Sequence, residues 1–193
     1  MKTVCIFAAS SSKIENVYRE AASKLGVLLA ANRKHVIYGG GGIGLMGALA
    51  DSFMASGGSI TGVIPEFMVK EGWGHKDVAD MIVTADMSER KKLILNRSDA
   101  VVALPGGIGT VEELTEAITL KQLGIFRGPV IVLNTNGYWD HFMVFMRHMI
   151  ETNFMRLEHE GIWSVVESPE DVISELNNYK GWLDDPRSIA RID

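Results

Sequence analysis

Two short runs, VVAL at 101–104 and VIVL at 130–133, are apolar at every position and mostly β-branched. A strand with one wet face alternates apolar and polar side chains, so a strand without alternation must be covered on both faces. Helices on both sides of a parallel sheet supply that cover. The rest of the chain is patterned to provide it. Strand signals fall at 3–8, 35–38, 59–64, 100–104 and 130–133, with a weaker one near 81–84. Helical periodicity fills the gaps at about 17–31, 45–56, 88–96, 111–123 and 138–152, and Pro169 opens a last helix, PEDVISEL. This order predicts a single doubly wound, Rossmann-like α/β domain with a parallel sheet over 1–180, followed by a polar, loosely held tail over 181–193. In such a domain ligands gather at the carboxyl ends of the strands.

Composition narrows the function classes. With 193 residues, 47% of them hydrophobic, one domain has enough core to fold without staples. The formal net charge of −5 is spread without long runs, so no basic face for a nucleic acid is expected. Cys5, the only cysteine, sits in the first apolar strand, where it reads as a small buried hydrophobe; a disulfide framework and a cysteine metal site are both excluded. No apolar run approaches the ~20 residues of a membrane span, and MKTVCIFAAS is too short for a signal peptide with its cleavage site. A cytoplasmic protein without a membrane partner is expected. His35, His75, His141, His148 and His159 show no i, i+4 pair and no H-E-x-x-H, so no metal is expected either.

Two glycine loops sit where a ligand would. In VIYGGGGIGLMGALADS, Gly39, Gly41 and Gly44 satisfy G-x-G-x-x-G between a strand and a helix, and Glu66 follows the next strand. The dinucleotide fingerprint, however, belongs after the first strand, and this one follows the second. Sharp turning alone hardly needs four glycines in a row, which points to a ligand approaching the backbone of Gly40, Gly41 and Gly42. The second loop, LPGGIGT, is more restrictive. Pro105 fixes φ, Gly106, Gly107 and Gly109 leave amides around Ile108 open to converge on an anion, and Thr110 stands at the expected N-cap of the next helix. No G-K-[ST] follows either cluster, so the anion is a monophosphate rather than a triphosphate.

Two carboxylates, Glu112 and Glu113, follow within a turn of that cradle. Thr110 to Glu113 reads as a capping box, in which Glu113 bonds back to the N-cap amide. Alternatively the ligand has a second part that needs negative charge. Upstream, DMSERKKLILNRSDAVV carries Arg90, Lys91, Lys92 and Arg97 on a helix, with Arg90 the first basic residue after the carboxyl edge and the one best placed to reach a ligand.

Together these residues resemble the Lonely Guy family, the cytokinin riboside 5'-monophosphate phosphoribohydrolases, often mislabelled lysine decarboxylases. The family's P-G-G-x-G-T-x-x-E stands here from Pro105 to Glu113, its upstream arginine–lysine pair is matched by Arg90 and Lys91, and YGGGGIGLMG and QLGIFRGPVIVLNTNGYWD are similar as well. The resemblance runs from about residue 3 to 153. It implies hydrolysis of the N-glycosidic bond of a nucleoside 5'-monophosphate, a cytokinin riboside monophosphate or AMP, to free base and ribose 5-phosphate, without cofactor. It implies Arg90 and Glu113 as the catalytic pair, and Lys91, Gly106, Gly107, Ile108, Gly109, Thr110, Glu112 and Thr119 as substrate-binding positions. The family's ribose-contacting glutamate matches Glu71 shifted by one, or Glu66. Family members pair as homodimers through helices near the site, and Ile118, Leu120, Leu123 and Phe126 form an apolar stripe that would serve either that interface or the core. The decarboxylase label fails on chemistry, since no Schiff-base lysine with its cofactor partners is evident. The rival from another class is a non-catalytic nucleotide or molybdenum-cofactor carrier on the same fold.

Overall fold

The structure, a computed structural model, describes residues 2–190. Seven parallel strands form one sheet in the order β4-β3-β2-β1-β5-β6-β7. They are β1 (Thr3–Phe7), β2 (His35–Tyr38), β3 (Ile60–Pro65), β4 (Asp80–Thr84), β5 (Ala100–Ala103), β6 (Val130–Leu133) and β7 (Trp163–Val166). The chain winds outward from β1 to β4, returns to β5 beside β1, and winds out the other way. The order therefore reverses between β1 and β5, and the loops leaving their carboxyl ends diverge there to open a crevice.

Period-two alternation along β1 splits the core in two. Val4 and Ile6 face one layer, where α1 (Asn16–Ala31), α2 (Gly44–Ala55) and α7 (Pro169–Asn178) contribute Leu25, Leu29, Leu49, Phe53 and Val172. Cys5 and Phe7 face the other, where α4 (Met87–Asn96), α5 (Ile108–Gln122) and α6 (Asp140–Glu151) contribute Ile94, Leu114, Ile118 and Met146. The tetrapeptides in β5 and β6 are buried throughout, as sheet positions covered on both faces must be. The doubly wound expectation holds.

Four local differences have physical causes. The short helix α3 (Glu66–Lys70) and the edge strand β7 were not expected; β7 is only partly buried, and its pattern WSVV lacks the all-apolar signature of the inner strands. Helix α6 starts at Asp140, not at 138, because Asn136 turns the chain at φ 55° and the Asn134 side chain accepts from the Trp139 amide at 2.7 Å. Helix α5 starts at Ile108 with extended Gly107 as its N-cap. Thr110 is thus inside the first turn, and the Thr110–Glu113 capping box does not form. Finally, the described part of the expected tail is anchored: Trp182 donates to the Glu158 carbonyl at 3.0 Å and Pro186 is buried. Residues 191–193 of that tail lie outside the described residues. Among the described residues no helix is long and apolar enough to cross a membrane.

Candidate active site

Helix α4 begins at a well-defined point just past the carboxyl end of β4. Its N-cap Asp86 accepts from the Glu89 amide at 2.8 Å, and the Glu89 carboxylate reaches back to the Ala85 amide at 2.8 Å. This reciprocal cap fixes the first turn, and Arg90 follows it directly. Arg90 is only 6% exposed. Its Nε donates to the Val63 carbonyl at 3.0 Å and its Nη1 to Glu113 Oε1 at 2.6 Å. Gly39 makes room for the guanidinium, since a Cβ there would overlap Arg90 Nη2.

Glu113 meets Arg90 from α5 and is 7% exposed. Burial pushes its carboxyl above the ordinary range, and the adjacent guanidinium of Arg90 pulls the other way. One residue earlier, Glu112 points outward and pairs with Lys91, which also lies 3.0 Å from Glu116. Hydrogen bonding to Glu112 raises the pKa of Lys91, so it stays cationic.

Between these pairs and the end of β1, Ile108, Gly109 and Thr110 form the first turn of α5, and their amides have no intrahelical acceptor. The helix dipole makes this end partially positive, which suits a phosphate. Thr110 packs so closely on Gly106 that a Cβ at Gly106 would collide with its side chain. The Gly106 carbonyl accepts from the Tyr138 hydroxyl at 2.7 Å, which steadies the loop.

A cleft of about 220 Å³ joins these groups, lined by Ser10, Gly39, Arg90, Gly107, Gly109, Thr110 and Glu113 among others. It shares Ser10, Gly39, Met46, Met68 and Arg90 with an apolar chamber of about 270 Å³ walled by Ile43, Ile64, Met68 and Trp73. The chamber's outer wall is strapped onto the glycine loop. The Gly42 amide donates to the Trp73 carbonyl at 3.3 Å and the His75 amide to the Gly40 carbonyl at 2.8 Å, while the His75 ring meets Asp51 at 3.1 Å. A wider groove of about 710 Å³ lies elsewhere, by Lys2, Asp99, Ile125 and Arg127. It contains no buried acid–cation pair and no helix N-terminus, so the smaller cleft is the better candidate for chemistry.

The structure therefore brings Arg90, Glu113, Gly107, Gly109 and Thr110 to one cleft, and Gly41 to its apolar annex. Other expected residues lie elsewhere. Ile108 contributes an amide while its side chain is 85% exposed. Lys91 and Glu112 occupy each other outside the cleft. Thr119 is exposed and donates to the Thr115 carbonyl at 2.8 Å on its own helix. Gly40 is closely approached by Ile64 and Met81, and Gly42 by the His75 backbone, so these glycines accommodate protein groups. Glu66 pairs with Lys70 at 3.0 Å, and neither it nor the exposed Glu71 lines the cleft. The stripe on α5 belongs mainly to the core: Ile118 and Phe126 are buried and Leu120 packs against them, leaving Leu123 half-exposed. Conversely, no sequence motif singles out Ser10, Met46, Met68 or Trp73, and Gly39 stands in the sequence only as part of the fingerprint loop. Among the described residues no group of three His, Cys, Asp or Glu is placed to hold a metal ion.

An acid–arginine pair is thus buried beside an open helix N-terminus, at the switch point of a doubly wound sheet. The family model described as possible lysine decarboxylase matches residues 46–176. The chain belongs to this family, the Lonely Guy family. The cytokinin riboside 5'-monophosphate phosphoribohydrolase LOG5 of Arabidopsis thaliana is 36% identical over 179 residues, covering 93% of this chain and 78% of the relative. The probable cytokinin riboside 5'-monophosphate phosphoribohydrolase LOGL9 of Oryza sativa subsp. japonica is 37% identical over 178 residues, covering 92% and 78%. Among solved structures, a structural-genomics target superposes with TM-score 0.73 at 22% identity over 93% of this chain and 100% of that one. The molybdenum cofactor carrier protein of Chlamydomonas reinhardtii gives 0.70 at 20% identity over 91% and 96%. At these identities the structural likeness is one of fold alone.

Proposed function

We propose that the protein hydrolyses the N-glycosidic bond of a nucleoside 5'-monophosphate to free base and ribose 5-phosphate. The observation that carries this reading is the buried Arg90–Glu113 pair, 2.6 Å apart, in the same cleft as the amide cradle of α5. The names of the relatives support it.

The chemistry follows from where charge develops. As the C1'–N bond lengthens, positive charge builds on the ribose, and a carboxylate beside C1' stabilises that transition state more than the ground state. Glu113 supplies the carboxylate. Water adds its oxygen to C1', the bonding pair leaves with the base, one water proton passes to Glu113 and on to solvent, and a proton from solvent neutralises the departing nitrogen. Arg90 does not give up its proton near neutral pH, so its contribution is electrostatic: it orients Glu113 and eases negative charge onto the leaving base. The amides of Ile108, Gly109 and Thr110 hold the 5'-phosphate and so fix the sugar relative to Glu113. The apolar chamber of Ile43, Ile64, Met68 and Trp73 suits a base carrying an apolar substituent, such as a cytokinin. A homodimer fits the apolar side chains left in solvent on and beyond α6, with Val144 67%, Phe145 57% and Phe154 86% exposed. A cytoplasmic location fits the single, buried, free cysteine.

The test is a panel of nucleoside 5'-monophosphates, including AMP and isopentenyladenosine monophosphate, incubated with the purified protein without added metal or nicotinamide cofactor. Release of free base with ribose 5-phosphate is expected. Binding without base release across the panel would favour a carrier and end the hydrolase reading.

A further inference from the structure

At the opposite end of α5 from Glu113, a second buried charge faces a second cavity. Lys121 lies in the last turn of the helix and is 2% exposed. Its ammonium sits 4.8 Å from the centroid of the Tyr179 ring and has no carboxylate partner among the described residues. Burial pulls its pKa down to about 8. Asp184, the one carboxylate among the described residues that line this cavity, makes no ion pair with it. Arg90 and Lys91, by contrast, each have a carboxylate. A buried cation without a counter-charge is an unfavourable arrangement that a bound anion would relieve.

The walls of the cavity have already engaged their own polar groups. The Tyr179 hydroxyl donates to the Arg127 carbonyl at 3.1 Å, Trp182 Nε1 to the Glu158 carbonyl at 3.0 Å, and Arg127 Nη1 to the Asp184 carbonyl at 3.4 Å. Both rings are thereby pinned. What remains to face a ligand is Lys121, the second cation Arg127, the exposed Asp184 and the apolar surface of Phe126, Trp182 and Leu183. The space is about 190 Å³, the liquid volume of about six waters.

We propose that this cavity binds a small monocarboxylate with an apolar or aromatic body. The carboxylate pairs with the Lys121 ammonium, with Arg127 as the second cation, and the body lies against Phe126 and Trp182. A phosphate is a poorer match. The 3-10 turn that begins at Pro186 has its Arg187 and Ser188 amides bonded to Asp185, and the carbonyl end of α5 opposes a second negative charge. Lys121 lies eight positions along the helix from Glu113, about 12 Å along the axis, and the two cavities share no lining residue. The site therefore stands independently of the hydrolase reading.

Isothermal titration of the whole protein with acetate, butyrate, benzoate and inorganic phosphate tests the proposal. One saturable site is expected, tightest for benzoate and weakest for phosphate. Lys121→Met removes the charge while keeping side-chain length, and should weaken benzoate at least ~10-fold, about 1.4 kcal/mol, without affecting base release. A readout in the unaltered protein guards against misfolding of the variant: with nitrogen-labelled lysine, benzoate should shift the side-chain resonance of Lys121 and of no other lysine. Absence of saturable carboxylate binding, equal benzoate affinity in Lys121→Met, an unmoved Lys121 resonance, or tighter binding of phosphate than of benzoate would each overturn it.

Discussion

Helices α4 and α5 are tied by two neighbouring ion pairs that differ in almost every physical respect. The inner pair, Arg90–Glu113, is 6% and 7% exposed, and Arg90 makes a further bond to the Val63 carbonyl. The outer contacts, from Lys91 to Glu112 and Glu116, lie nearer the surface: the Lys91 side chain is 16% exposed, that of Glu116 34% and that of Glu112 51%. Desolvating two ions costs several kcal/mol each, and their attraction offsets this only with good geometry and added hydrogen bonds. A surface pair contributes about 0–1 kcal/mol. Stability alone gives little reason to bury the inner pair, and a cleft wall that holds a carboxylate with a displaced pKa beside open amides gives a functional one. Adjacent residues of like charge are thus divided between the cleft wall and the outer face of the helices.

The sharpest way to break this contrast is Glu113→Gln. The fold should survive, because the amide still accepts from Arg90, while turnover falls by ~10²–10⁴ with loss of the carboxylate. An unchanged rate in the panel assay, accompanied by a lower melting temperature, would make Glu113 a structural residue.

Next comes Gly39→Ala. The new methyl would overlap Arg90 Nη2, and displacing the guanidinium by an ångström should lower kcat by about 10²-fold. Equal kinetics in this variant would mean that the position of Arg90 is not important to the reaction. The smallest effect is expected from Lys91→Met, which should change unfolding free energy in denaturant by less than about 1 kcal/mol and reduce turnover less than Gly39→Ala does. A loss as large as that of Glu113→Gln would instead bring Lys91 onto the ligand and erase the distinction between the pairs.

How much of this was legible in the chain depended on how local each signal was. The runs in β5 and β6 report burial on both faces by themselves, so the doubly wound sheet could be inferred from them. Edge strands carry weaker patterns because one face or one side is open, which is why β4 was faint and β7 unseen. Thr110 misled because its spacing to Glu113 matches a capping box, yet the extended backbone of Gly107 lets α5 begin three residues earlier than expected. The reciprocal cap that does form, Asp86 with Glu89, sits one helix upstream and anchors Arg90. Gly39 looked like part of a fingerprint loop, and its use as the seat of a guanidinium from a distant helix had no local signature. Trp73 and Met68 form the apolar annex only because β3 ends beside the glycine loop.

From the chain alone came the order of elements, the switch point that follows from it, and the presence of an arginine, two glutamates and an amide-rich loop near that point. These are consequences of periodicity and backbone chemistry, which act over a few residues. The family resemblance already singled out Glu113; why that carboxylate and not its neighbour faces the cleft is settled only by the tertiary structure. Consecutive residues of a helix point about 100° apart, so once Leu114, Ala117 and Ile118 settle α5 into the core, Glu113 must turn inward to Arg90 and Glu112 outward to Lys91. Packing of the apolar face, which no local motif encodes, sets the direction of both charges.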